Sequence, residues 1–179
     1  EAIKKMHSIA EYYVKSGALP PTENAFTLSI KLQAGREMGI SPLQSIKSFY
    51  IVNGQINIWG SAVTNRFREH GWAISYEETP NSCKCTVTKG DEKITETYTY
   101  AEAVASGYTS SLRGEKIGWR EGANRRLKLR YGALSLILKT RLAELMGPAQ
   151  DIQEVYEDFT PEVDLKTPER FAKVETSVV

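Results

Sequence analysis

Residues 48–60 read Ser-Phe-Tyr-Ile-Val-Asn-Gly-Gln-Ile-Asn-Ile-Trp-Gly, and along this stretch the periodicity of the chain changes from that of helices to that of strands. Two β-rich runs, Phe49–Val52 and Gln55–Trp59, flank Asn53-Gly54. That dipeptide readily takes the positive φ angles of a type I′ turn, so the stretch predicts a β-hairpin, broken by Gly60. Upstream, apolar residues recur at helical steps. Ile3, Met6, Ile9, Ala10, Tyr13 and Val14 mark a helix over 2–16 that Gly17 and Pro20-Pro21 stop. Phe26, Ile30 and Ala34 mark a second, with Thr22 as its cap and Gly39 at its end. Ser41-Pro42 opens a third, short helix to about Lys47. Three helices therefore precede the first strand.

Downstream, residues 61–70 turn Ala62, Val63 and Phe67 inward and Arg66, Arg68 and Glu69 outward, an amphipathic helix ended by Gly71. Trp72–Glu78, Cys83–Lys89 and Lys93–Tyr100 then read as three strands, with turns at Pro80-Asn81 and Gly90-Asp91. A short helix over 101–106 and a polar, glycine-containing loop over 107–118 lead to a long helix from about Arg120 to Met146. Leu127, Tyr131, Leu134, Leu138, Leu142 and Leu145 form one apolar stripe of that helix, and Leu129, Leu136 and Ile137 a second. A helix apolar on two sides is buried at its C-terminal half. The expected class is α+β, with N-terminal helices, a β-hairpin plus a small antiparallel sheet, and a long, buried, basic C-terminal helix. The expected organisation is one core over 1–147 and an acidic, partly irregular tail over 148–179, where Pro161 and Pro168 interrupt any periodicity.

The whole chain carries 23 Lys+Arg against 22 Asp+Glu, a balance that by itself argues against a polyanionic partner. Counted in segments, it is a cancellation. Residues 1–111 hold 11 basic and 11 acidic side chains, 112–141 hold nine basic and two acidic, and 142–179 hold three basic and nine acidic. A block of +7 beside a block of −6 is a polarised molecule with a strong local potential.

Enzyme chemistry finds little to work with. Nucleophilic hydrolysis needs a Ser or Cys beside a His, and His7 and His70 read as packing and capping residues. No glycine loop followed by Lys-Ser/Thr occurs to cradle a nucleotide. The carboxylates of Glu162-Val-Asp164 lie in the segment least suited to hold a metal pair rigidly. Cys83 and Cys85, two apart in a strand, read as small interior residues, with no histidine at metal-ligand spacing. No apolar run approaches the ~18 residues that cross a bilayer, and the charged start lacks the apolar core of a secretion signal. The expected location is cytoplasmic.

The basic block offers more. Arg113, Lys116, Arg125, Arg126, Lys128, Arg130, Lys139 and Arg141 surround Trp119, combining phosphate-binding charge with an aromatic ring on which a base can stack. Acids are not interleaved to pair with these charges along the helix. The expectation is therefore a polyanion groove; the alternative is a surface that binds an acidic protein partner, the chain's own tail included.

The order of these features resembles a known family. Gly35-Arg-Glu-Met-Gly39-Ile-Ser-Pro-Leu-Gln44, Phe49–Gly54, Trp59-Gly60, the Arg66/Arg68 helix, Trp119, Arg125–Arg130 and Lys139-Thr-Arg141 follow one another as in phage RecT-type single-strand annealing proteins, relatives of the Redβ recombinases. The likeness spans about residues 26–147. It implies sequence-independent binding of single-stranded DNA, pairing of complementary strands in recombination and repair without ATP, and assembly into rings or filaments. The implied phosphate contacts are Arg125, Arg126, Lys128, Arg130, Lys139 and Arg141, with Arg66, Arg68 and Lys47 on an opposite wall. The implied partners are single-stranded DNA, the annealed duplex, further copies of the chain and a phage exonuclease, in a bacterial or phage-infected cell and with no membrane. No cofactor is required in this reading, and Mg²⁺ is a candidate modulator of assembly.

Overall fold

A computed structural model describes residues 2–17, 19, 23–52, 54–112 and 114–152. Thr22, Asn53, Arg113 and the run 153–179 lie outside the described residues. Helices α1 (Ala2–Lys15), α2 (Ala25–Glu37) and α3 (Pro42–Ser48) lead into the hairpin β1 (Phe49–Val52) and β2 (Gln55–Ile58). Then come α4 (Gly60–Glu69), strands β3 (Ala73–Thr79), β4 (Ser82–Lys89) and β5 (Glu92–Thr99), and α5 (Tyr100–Ala105). A two-residue ladder, β6 (Ser110–Ser111) with β7 (Gly114–Glu115), and a 3₁₀ turn at Ile117–Trp119 precede α6 (Ala123–Arg141). The α+β class, the hairpin and the three-stranded sheet are as the periodicity predicts.

The local reasons are visible. Asn24, two residues beyond Thr22, caps α2: its side chain accepts from the backbone N–H of Phe26 and Thr27 in a capping box. Pro42 fills the first turn of α3, and Thr99 with Glu102 forms the capping box of α5. Gly54 takes φ +75°, the sign an Asn-Gly hairpin turn requires.

The antiparallel sheet runs β3-β4-β5, and α6 lies across one face of it. Along β4, Cys83, Cys85 and Val87 alternate inward and meet Leu129, Ala133, Leu134, Ile137 and Leu138 of the helix in one buried core. The approach is close: a Cβ at Gly132 would collide with the Tyr98 ring of β5. A second, smaller cluster, built on Ala10, Leu28 and Leu32, holds α1 on α2.

Three expectations need correction. The helix expected over 120–146 ends at Arg141, because Leu142 (φ −133°, ψ 42°) bends the chain into a 3₁₀ turn at Ala143–Met146 that folds Leu145 and Met146 into the core. The loop over 107–118 contains the β6–β7 ladder. The core also extends past 147. Ile152 pairs in parallel with Ile58, Ile58 N–H donates to Asp151 C=O (2.9 Å), and Ala149, Asp151 and Ile152 are buried. Among the described residues no helix is long and apolar enough to cross a membrane.

Candidate nucleic-acid interface

Helical spacing divides the basic residues of α6 before any partner is considered. Arg125 and Lys128 lie one turn before Leu129 and Gly132 on the stripe that faces inward, whereas Arg126 and Arg130, at i and i+4, lie on another face. The inward pair is therefore buried. Arg125 Nε donates to Trp119 C=O (2.6 Å), Nη1 to Asn81 Oδ1 (3.0 Å), and Nη2 approaches Glu115 Oε1 at 3.5 Å. Its guanidinium stacks 4.0 Å from the centroid of Tyr100. The Tyr100 hydroxyl donates to the same Glu115 carboxylate (2.5 Å), which holds that phenol above its usual pKa. Arg125 thus ties the 3₁₀ turn, the β3–β4 turn and β7 to the helix. Lys128 is 0% exposed, with Nζ 5.5 Å from the Trp119 centroid.

Trp119 is itself 0% exposed and packs against Tyr100. It is core, and no base can stack on it in this conformation. Arg125, Lys128 and Trp119 consequently leave the list of strand contacts: the stripe of α6 that carries Leu129 inward carries Arg125 and Lys128 with it, and the 3₁₀ turn at Ile117–Trp119 packs Trp119 against Tyr100 in the interior.

The outward residues are differently placed. Arg130 forms a bidentate fork with Glu78, Nε to Oε1 and Nη2 to Oε2, both at 3.0 Å, and its guanidinium lies 4.8 Å from the Tyr76 centroid. The fork uses two of five N–H donors and raises the guanidinium pKa further. Burial pushes the Tyr76 phenol well above its usual range. Arg126 is exposed one turn away, beside Glu78, Thr79 and Pro80 in a hollow of about 250 Å³. Tyr76 also lines a groove of about 520 Å³ between α4 and β3, together with Thr64, Arg68 and Trp72. Arg126, Glu78, Arg130, Tyr76 and Arg68 therefore form one strip drawn from α6, β3 and α4.

Lys139 and Arg141 sit at the far end of α6. Lys139 pairs with Asp151, whose carboxylate also accepts from Ser135 Oγ (2.5 Å) and Ile152 N–H (2.8 Å). That cluster pins residues 149–152 to the helix. Arg141 is exposed and Lys116 half-buried, both away from the strip as its contacts define it.

Lys47 and Arg66 share a different cleft, of about 200 Å³ between α3 and α4. Arg66 and Arg68, expected on one wall, are two residues apart on a helix and point to opposite sides of α4.

Among the residues that matter here, the sequence reading missed Glu78, Glu115 and Asp151, which supply from distant elements the countercharges absent along the helix. Glu78 left a trace. Register places Tyr76 opposite Cys85 and Glu78 opposite Cys83, so strand alternation puts an acid on the face that α6 covers.

The two histidines are engaged locally. His70 Nδ1 lies 2.9 Å from Arg66 C=O at the end of α4. His7 Nδ1 lies 3.2 Å from Ser29 Oγ, but that hydroxyl already donates to Ala25 C=O (2.6 Å). Among the described residues no three His, Cys, Asp or Glu side chains converge as a metal site. Comparison with protein-family models, curated proteins and solved structures returns no match.

Proposed function

We propose that the protein binds single-stranded DNA through its phosphate backbone, without reading sequence, and anneals complementary strands with no nucleotide cofactor. The observation that carries this reading is the strip Arg126–Arg130–Tyr76–Arg68, in which three elements remote in sequence bring Arg130 over the Tyr76 ring and set Arg126 and Arg68 in the hollows that Glu78 and Tyr76 line. Arginine neutralises phosphate regardless of base, and a tyrosine face accepts any base. The fork to Glu78 fixes the Arg130 guanidinium in place, so little side-chain entropy is lost when a phosphate meets its remaining donors.

Holding strands by the backbone leaves base edges free. Neutralised phosphates repel a second strand less, and base pairing then supplies the driving force without fuel. The order of motifs shared with RecT-type annealing proteins supports the same activity.

Assembly into a ring or filament belongs to this reading. Its best support is an apolar surface on α2, where Phe26 is 73% exposed and Ile30 borders a trough lined by Met6, Ala34, Ile56 and Pro148. Contact with further copies of the chain removes that surface from water. A phage exonuclease remains the proposed source of the strands, and Mg²⁺ a proposed modulator of assembly.

The test is annealing of two complementary oligonucleotides, followed by fluorescence at low and raised salt with no nucleotide present. Acceleration that fades with salt is expected. No acceleration, together with no gel shift of single-stranded DNA, would overturn the reading in favour of an acidic protein partner for the basic surface.

A further inference from the structure

Residues 149–152 carry the chain back along the β1–β2 hairpin. Gln150 N–H donates to Ile56 C=O (2.7 Å), Ile58 N–H to Asp151 C=O (2.9 Å), and Ile152 pairs in parallel with Ile58. Asp151 fastens this segment to α6 through Ser135 and Lys139. The chain therefore leaves the core at a fixed point, beside Ile58 and two residues before Gly60. Gly60 opens α4 against Tyr131, so closely that a Cβ there would lie 2.1 Å from the ring. Tyr131 follows Arg130 on α6, and Arg68 stands about 12 Å from Gly60 along α4 at 1.5 Å per residue. The exit point is thus close to the strip Arg126–Arg130–Tyr76–Arg68.

The segment that leaves there matches the strip in chemistry. Residues 153–164 read Gln-Glu-Val-Tyr-Glu-Asp-Phe-Thr-Pro-Glu-Val-Asp, five carboxylates and no basic side chain, with Tyr156 and Phe159 between them. The strip offers Arg126 and Arg68, with Arg130 over the Tyr76 ring. Carboxylates interleaved with aromatic rings present to these groups what phosphates interleaved with bases present. At ~3.3 Å per extended residue, the stretch from Gln153 to Asp158 spans about 20 Å, enough to reach Arg130 and Arg126, which stand one turn apart. We propose that residues 153–164 occupy the strip of their own chain when DNA is absent, and that a DNA strand must displace them to bind. The regulation rests on the reading of the strip as the DNA site; the occupancy does not. A short tether holds the segment at a millimolar effective concentration, so pairing of millimolar affinity covers the strip about half the time, and the apparent DNA affinity falls with the uncovered fraction.

The first readout needs no DNA: the rate at which a dicarbonyl reagent modifies each arginine of the full chain, followed by mass spectrometry. With Glu154→Gln, Glu157→Gln and Asp158→Asn combined, exposed Arg126 is expected to react about three- to tenfold faster, while Arg141, exposed at the far end of α6, keeps its rate. The second readout is fluorescence anisotropy with a labelled oligothymidylate. The same variant should bind about three- to tenfold more tightly, and Tyr156→Ala with Phe159→Ala, which changes no charge, about twofold more tightly. An unchanged rate at Arg126 overturns the occupancy, and so does equal acceleration at Arg126 and Arg141, the mark of a general field effect. Protection of Arg126 that disappears on dilution assigns the strip to the segment of a neighbouring copy and overturns the assignment to the same chain. DNA binding with Arg126 unaffected sinks this proposal and spares the strip's function; faster modification of Arg126 in a chain that binds no DNA upholds the occupancy and sinks the DNA reading.

Discussion

Nine basic residues crowd 112–141, whereas the α3–α4 cleft has two, Lys47 and Arg66. The dense region presents less free charge than its count suggests. Arg125 is spent on Trp119, Asn81 and Glu115, Lys128 lies over the Trp119 ring, Arg130 is forked to Glu78 and Lys139 is paired with Asp151. The sparse cleft keeps Lys47 unengaged and Arg66 only weakly balanced. Charge density along a chain and charge offered to a ligand are different quantities, because a buried cation must acquire partners or lose solvation energy.

The hardest blow to this contrast comes from Trp119. As an interior ring, its replacement in Trp119→Ala is expected to cost about 3–5 kcal/mol, read by urea unfolding. A fully stable variant that has lost DNA binding would return Trp119 to the interface and erase the distinction between spent and offered residues.

Alkaline titration probes the same interior. Burial pushes Cys83 up from 9.0 to about 11 and Cys85 to about 12, and raises Tyr98 from 10.0 to about 12. The folded state keeps these protons while the unfolded chain releases them. Stability is therefore flat below pH 9 as far as these groups are concerned and falls progressively between about pH 9 and 12, measurable by unfolding at fixed temperature. At pH 8 a thiol reagent should react slowly with the native protein and quickly in denaturant. Fast native labelling would show that α6 does not seal the sheet.

Smaller effects compare the two open regions directly. Arg126→Ala is expected to weaken single-stranded DNA binding by up to about tenfold, equally for all sequences, and to lower the salt slope by about one. If Lys47→Ala has an additive effect on the same slope, both regions touch one strand. No effect of Lys47→Ala on DNA binding confines the strand to the strip.

The smallest effect separates a spent arginine from an offered one. Glu78→Gln should reduce stability by about 0.2–1 kcal/mol, because the pair is partly exposed, and raise DNA affinity about two- to fivefold by lifting a negative charge from the strip. Weaker DNA binding would mean instead that Glu78 is needed to aim Arg130.

Much of the architecture was legible in local patterns. The hairpin around Asn53-Gly54, the strands ending near Thr79, Lys89 and Thr99, and the helix at Gly60–Glu69 follow from period and turn chemistry, which act within a few residues. Helix boundaries were less accessible. The bend at Leu142 serves to bury Leu145 and Met146, and the parallel pairing of Ile152 with Ile58 joins segments nearly a hundred positions apart.

For the candidate sites, composition supplied the residue types but grouped Arg125, Arg126, Lys128 and Arg130 as one set of phosphate contacts; their division follows from helical spacing only once the inward face of α6 is known. Glu78 entered the sequence reading only as the end of a strand, and its pairing opposite Cys83 is what puts it on the face that α6 covers. The sequence thus determined which groups exist and which face of its own element each occupies, since those depend on covalent order and on the 3.6- and two-residue periods. Tertiary structure alone decided which charges meet: Arg130 with Glu78, Lys139 with Asp151, and Lys47 with Arg66 across one cleft. Countercharge is a property of distance in space, and the fold sets those distances.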